Sequence, residues 1–234
     1  MPVIVTSNTV FEPVPLWAKV PHGIWLREAT SVAVDSDDNV FVFNRGNKPI
    51  LVFDPDGNVI NMWGNDNPPD DVRITHDAYG NASQFWDTWF NRPHAITIDH
   101  EGNIWVVDDN AHQIHKMTKS GDYLMTIGSG TPAPKQSGDM FHRPTDVAIS
   151  KTTNEIFISD GYDNSRIHRL DPNGKLIKSW GTIGTDPGEF NVPHNLALID
   201  DEEVIVCDRE NYRVQVFTLD GEFLRQWQVH KAVA

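Results

Sequence analysis

The stretch VPHNLALIDDEEVIVCDRENYRVQVFTLDGEFLRQW, residues 192–227, reads as four short strands in a row. An apolar run follows Pro193, an acidic turn reverses the chain, and a second run covers 204–206. A polar loop around Arg209 leads to a third run at 214–217, and Asp220-Gly221 turns into the fourth. Apolar residues alternate with polar ones, the period of a strand with one buried face. Asp-Gly suits a hairpin because glycine takes positive φ without a Cβ clash. The same order recurs three times upstream: REATSVAVDSDDNVFVFNRGNKPILVFDPDGNVINMWG (27–64), RPHAITIDHEGNIWVVDDNAHQIHKMTKSGDYLMTIG (92–128) and RPTDVAISKTTNEIFISDGYDNSRIHRLDPNGKLIKSWG (143–181). No helical stripe interrupts it. Four repeated four-stranded units predict an all-β fold, a β-propeller within one domain spanning 1–234, with blades packed face to face around an axis. The strand after each Arg-Pro or Val-Pro entry is expected innermost, and Trp63 and Trp180, which close two fourth strands, are expected to fill the space between blades.

Composition agrees with a folded β domain and narrows its partners. Of 234 residues 39% are apolar and 10% aromatic, enough for a core. No run approaches the ~20 apolar residues of a membrane-spanning helix, so no membrane partner is expected. Nineteen Lys and Arg against 33 Asp and Glu give a net charge of −14. The basic residues are scattered, which argues against nucleic acid. One cysteine, Cys207, excludes an intrachain disulfide. With no basic, apolar leader at the N-terminus, this predicts a reducing, cytoplasmic setting. The insertion NDNPPDDVRITHDAYGNASQFWDTWFN (65–91) is too long for a hairpin turn. Its Trp86, Trp89 and Phe90 serve either a lid or partner surface, or an anchor against the propeller.

The entry proline, the V-A-V-D-like and D-G-N-I-W-V-like strands and the N-R-V-Q-V-F strand resemble the NHL-repeat β-propellers. More narrowly, FNRPHAITIDHEGNIWVVDDNAHQIHK, RPTDVAISKTTNEIFISDGYDNSRI and PGEFNVPHNLALIDDEEVIVCDRENYRVQVF resemble the peptidyl-α-hydroxyglycine α-amidating lyases (peptidylamidoglycolate lyases) and their bacterial relatives. The resemblance covers about residues 27–227, apart from the 65–91 insertion. It implies a six-bladed pattern, of which four blades are visible here.

The residue just after the entry proline forms a column: Thr30, His94, Thr145, His194. In a ring of six, two blades separate the imidazoles by about 120° around the axis, which aims both at one central spot. Neutral imidazoles with an open coordination position make a catalytic zinc site, although a histidine at a strand start also often caps a carbonyl. The resemblance likewise makes His94 and His194 zinc ligands. The family's third zinc histidine falls in a sixth blade, and no Pro-His-x-Ile/Leu follows His194; His22, in VPHGIW, is out of register. Arg45 and Arg209 share a loop column at the channel mouth, suited to binding a substrate carboxylate or to pairing with a nearby acid such as Asp54 or Asp208. By resemblance both lie in the active site, with Tyr162 as the base. A structural calcium is also implied, held by the backbone carbonyls of Val32 and Ile96 and by an Asp of the sixth blade. His142 and Asp163 stand where secreted animal members have a disulfide. The repeated Asp108, Asp160 and Asp208 are expected to brace loops.

Three functions compete. One is a metal-dependent lyase cleaving an N–Cα carbinolamide of a small acyl- or peptidyl-hydroxyglycine to amide and glyoxylate. The others are a non-catalytic NHL-type protein-binding scaffold and a calcium-dependent lactonase-like propeller, whose axis would need Glu, Asn and Asp. An arc of four blades exposes two apolar faces, so either a homo-oligomer or closure of a small ring by residues 3–17 is expected.

Overall fold

A computed structural model describes residues 4–5, 10–65, 73–76, 82–85 and 89–230, with side chains for 12–65 and 89–230. Trp86 lies outside the described residues. A short hairpin, β1 (Ile4–Val5) and β2 (Val10–Phe11), precedes the first blade. That blade holds β3 (Ala29–Val34), β4 (Val40–Asn44), β5 (Ile50–Phe53) and β6 (Val59–Trp63). A second hairpin, β7 (Arg73–His76) and β8 (Ala82–Phe85), occupies the 65–91 insertion. The second blade comprises β9 (Pro93–Ile98), β10 (Ile104–Asp108), β11 (Gln113–Met117) and β12 (Tyr123–Ile127). The third is β13 (Asp146–Ile149), β14 (Ile156–Asp160), β15 (Arg166–Leu170) and β16 (Leu176–Trp180). The fourth is β17 (Pro193–Ile199), β18 (Glu203–Asp208), β19 (Arg213–Thr218) and β20 (Phe223–Gln228), with one 3₁₀ turn, Arg209–Asn211, between β18 and β19.

Each blade is an antiparallel meander of four strands in chain order. First strands meet those of the next blade, β3 with β9, β9 with β13 and β13 with β17, so the four blades form a β-propeller arc. Period-2 alternation sends successive side chains of the second strands to opposite neighbours. Ile104 and Val106 join a cluster with Phe41, Phe43 and Trp63 of the preceding blade. Trp105 and Val107, between them in sequence, join a cluster with Ile156, Ile158 and Phe141 of the following one. Phe157 then faces Val204, Val206 and Phe217 of the last blade. Burying each such side chain contributes roughly 1.5–3 kcal/mol, so these interfaces hold the arc together. Residues ahead of the first blade lie along its turn, where Trp17 packs on Phe53 and its indole N–H donates to the Pro55 carbonyl at 2.9 Å.

The tryptophans sit between blades as their sequence position implies. Trp63 is 6% and Trp180 9% exposed. Each rests on the turn glycine of the next blade, Trp63 on Gly121 and Trp180 on Gly221, while Ile127 rests on Gly174 in the same way. A Cβ at Gly221 would stand 2.5 Å from the Trp180 ring, at a φ of +77°. Gly188 has a similar φ, +86°, with open space around it. Gly188→Ala should therefore cost only the left-handed penalty of about 1–2 kcal/mol. Gly221→Ala should cost clearly more, read as the larger drop in thermal midpoint. Equal losses would contradict the close approach.

His115 offers a pH test of the same packing. Burial between blades holds its imidazole down to about 4, and its Nδ1 lies 2.9 Å from the Thr126 hydroxyl. The folded state keeps it neutral while the unfolded chain protonates near 6.5, so stability is complete above that pH and falls as pH drops toward 4. At pH 5 the loss should be about 2 kcal/mol, and His115→Gln should flatten it. An unchanged slope would refute the assignment.

Candidate functional site

The site forms where first strands begin and second strands end, because antiparallel pairing places both at one end of the arc. Pro93 pairs with Asp108 and Ala95 with Val107, which leaves His94 as an extra residue in a β-bulge. Pro193 pairs with Asp208 and Asn195 with Cys207, so His194 is bulged in the same way. Ala29 and Ser31 bracket Thr30 likewise. A bulge re-aims the side chain it inserts, and here it turns both imidazoles together. Thr145 of the third blade instead donates its hydroxyl to the Pro193 carbonyl at 2.8 Å.

Buried acids fix these entries. Asp108 accepts the backbone N–H groups of Asn91 and Arg92 at 2.6 and 2.8 Å. Asp160 accepts that of His142 at 3.0 Å, and Asp208 that of Asn191 at 2.7 Å. In the first blade Asn44 holds this position but braces the loop that follows it, donating to the Lys48 carbonyl and accepting the Gly46 N–H. These are the loop-bracing roles their repeated column suggested.

The structure brings His94, His194 and Tyr162 together. The imidazole centroids are 4.9 Å apart. Nε2 of His94 and Nε2 of His194 lie 3.0 and 3.1 Å from the Tyr162 hydroxyl. His94 is buried and its imidazole is held down to about 3, chiefly by burial, then by the neighbouring His194. A ring that stays neutral keeps a lone pair available to a metal or a proton. Nδ1 of His194 lies 2.7 Å from the Asn195 side-chain oxygen. Burial also pushes the nearby Asp146 carboxyl up to about 6.

Arginines surround this center. The Arg209 guanidinium lies over the Tyr162 ring at 5.4 Å and pairs with Glu210 at 2.7 Å. Arg45 reaches the Pro93 carbonyl at 3.1 Å and pairs with Glu28 at 2.5 Å. Both arginines therefore have acidic partners, but these are Glu28 and Glu210 and not Asp54 or Asp208. Two further arginines escaped the sequence reading. Arg143 stacks on Tyr162 at 4.4 Å, closer than Arg209, and shares the buried Asp109 with Arg92 at 3.2 and 2.9 Å. Their signal was the Arg-Pro repeated at 92–93 and 143–144, read only as a strand entry.

The two imidazole nitrogens facing one point are donors of the kind zinc prefers, with the Tyr162 hydroxyl beside them. Among the described residues no cluster of three or more His, Cys, Asp and Glu stands ready to hold a metal. Val32 and Ile96, the residues that the resemblance makes calcium ligands, line an axial cavity of about 790 Å³. The Ile96 carbonyl accepts the Ser31 hydroxyl at 3.5 Å, and Asp99, Asp146, Asp200 and Asp201 share the cavity wall.

Comparison with known proteins follows the same line. The NHL repeat model matches residues 190–217. Peptidylglycine alpha-amidating monooxygenase of Rattus norvegicus is 36% identical over 211 residues, covering 85% of this chain and 21% of the relative. "Probable peptidyl-alpha-hydroxyglycine alpha-amidating lyase pgal-1" of Caenorhabditis elegans is 43% identical over 133 residues, 55% of this chain and 37% of that one. The Drosophila melanogaster peptidyl-alpha-hydroxyglycine alpha-amidating lyase 2 is 34% identical over 196 residues, 80% of this chain and 47% of its own. The chain thus spans from a fifth to just under half of these relatives. Among solved structures, a streptogramin B lyase aligns with a TM-score of 0.57 at 15% identity, over 88% of this chain and 57% of that one, which speaks to the fold alone. The chain is a β-propeller that carries an NHL repeat match at 190–217 and is similar in sequence to the peptidyl-α-hydroxyglycine α-amidating lyases.

Proposed function

We propose that this chain forms the site of a metal-assisted lyase acting on an acyl- or peptidyl-α-hydroxyglycine. The observation that carries the reading is the meeting of His94, His194 and Tyr162 within 3.1 Å. In the proposed reaction the carbinol O–H loses its proton, the C–O bond becomes a carbonyl and the N–Cα bond breaks. The nitrogen regains a proton, so the products are an amide and glyoxylate. Zinc, when bound, would supply Lewis-acid stabilisation of the oxygen charge that develops. His94 and His194 would hold it through their Nε2 atoms.

Tyr162 would take the carbinol proton, a role supported by its hydroxyl being the group both imidazoles face. The planar guanidiniums of Arg209 and Arg45 would bind the glycine carboxylate and orient the bond to be broken. Arg143 and Arg92 add positive charge at the mouth of a chain whose net charge is −14, which favours an anionic substrate locally. This arrangement favours the lyase over a scaffold, which has no use for two imidazoles aimed at a phenol.

Three outcomes follow from this reading. The purified chain should bind about one zinc per molecule, and His94→Ala or His194→Ala should each abolish it; wild-type zinc in the double variant would reject the site. Tyr162→Phe should lower glyoxylate release from an acyl-α-hydroxyglycine by roughly 10²–10⁴-fold while zinc stays bound; retained turnover would dismiss the base. Arg209→Lys should raise KM about tenfold with little change in kcat, through loss of bidentate carboxylate binding. An unchanged KM would remove Arg209 from substrate binding.

A further inference from the structure

We propose that Asn195 and Asp146 are positioning residues that hold His194 in its Nδ1–H form, so that its Nε2 lone pair is presented to the site. The proposal deepens the reading above, on which only its zinc arm rests. It comes from a run of hydrogen bonds that crosses the interface between the third and fourth blades. Nδ1 of His194 lies 2.7 Å from Oδ1 of Asn195. The Asn195 amide nitrogen donates to Oδ2 of Asp146 on β13 at 3.2 Å. The same carboxylate accepts the backbone N–H of Leu196 at 3.1 Å and, through Oδ1, that of Val147 at 2.9 Å.

The direction of this run follows from what each group can give. An ionised carboxylate only accepts, so Asn195 must turn its NH₂ toward Asp146. Its carbonyl oxygen then faces His194 and cannot donate. The proton between them must therefore come from Nδ1 of His194, which leaves Nε2 bare. Nε2 then accepts the Tyr162 hydroxyl proton at 3.1 Å. Histidines that bind metal commonly donate their other N–H to such a partner, which fixes tautomer and ring orientation. Here an amide and a carboxylate share that task. Asp146 is anchored by two backbone N–H groups, and Asn195 is the residue next to the bulge that aims His194. The arrangement couples the histidine's direction to the packing of one blade against the next.

The test reads the tautomer directly, without activity. Long-range ¹⁵N–¹H correlation spectra of zinc-free protein at about pH 8 distinguish the two neutral forms of an imidazole, and His194→Gln identifies the signal. Wild type should show His194 protonated at Nδ1. Asn195→Leu, which removes the acceptor, should shift it toward the Nε2–H form. Asp146→Asn, nearly isosteric, keeps the test available if the first variant does not fold. It frees the Asn195 amide to flip and should give a mixture. A wild-type Nε2–H histidine, or an unchanged tautomer in both variants, would overturn the proposal. Zinc affinity by chelator competition should also fall about 10- to 100-fold in Asn195→Leu. Equal zinc affinity with the tautomer shifted as expected would uphold the positioning pair and reject His194 as a zinc ligand.

Discussion

In three of the four blades the entry to the site hangs from a buried acid at the end of the second strand. Asp108, Asp160 and Asp208 accept backbone N–H groups from the segment that leads into the first strand of their own blade. A carboxylate satisfied by backbone donors in a buried setting is expensive to disturb. The chain is thereby pinned just before Pro93 and Pro193, and the histidine that follows each proline is bulged out of the ladder. An imidazole placed by a bulge on the innermost strand is held by that strand's ladder to the second strand of its blade, more rigidly than one carried by a surface loop.

The blade interfaces supply the second constraint. Two histidines from blades separated by a third can meet only if the intervening blade is packed firmly on both faces. The third blade has this, with Ile156 and Ile158 turned to one neighbour and Phe157 to the other. Thr145, at the histidine position of that blade, spends its hydroxyl on the Pro193 carbonyl and so ties the blade to the entry of the fourth. Tyr162 rises from the same blade between the two imidazoles. At the histidine position of the first blade Thr30 keeps its hydroxyl on the Phe43 carbonyl of its own blade at 3.1 Å, whereas the two histidines face the site.

Much of this was legible in the residues. The hairpin glycines, the alternation and the entry prolines have local causes, so the blades could be read directly. The histidine column was visible because a repeat aligns equivalent positions. The bulge itself was not, since one unpaired residue leaves no mark on the alternation that follows it. Arg92 and Arg143 were hidden by the same repeat: they sit beside a proline that already explained the motif. Their role depends on Asp109, a buried acid shared across blades, and long-range pairing of this kind has no sequence period. The relay from His194 to Asp146 was hidden for the same reason, as its members lie on different strands 49 residues apart between Asn195 and Asp146.

The central claim is that His94 and His194 converge on one reactive center and are not two separate caps of the channel wall. X-ray absorption at the zinc edge tests it most directly on protein loaded with one equivalent of the metal. The account predicts a first shell with two imidazole nitrogens at about 2.0–2.1 Å, completed by oxygen. A shell of oxygen alone, or one containing sulfur from Cys207, would contradict it.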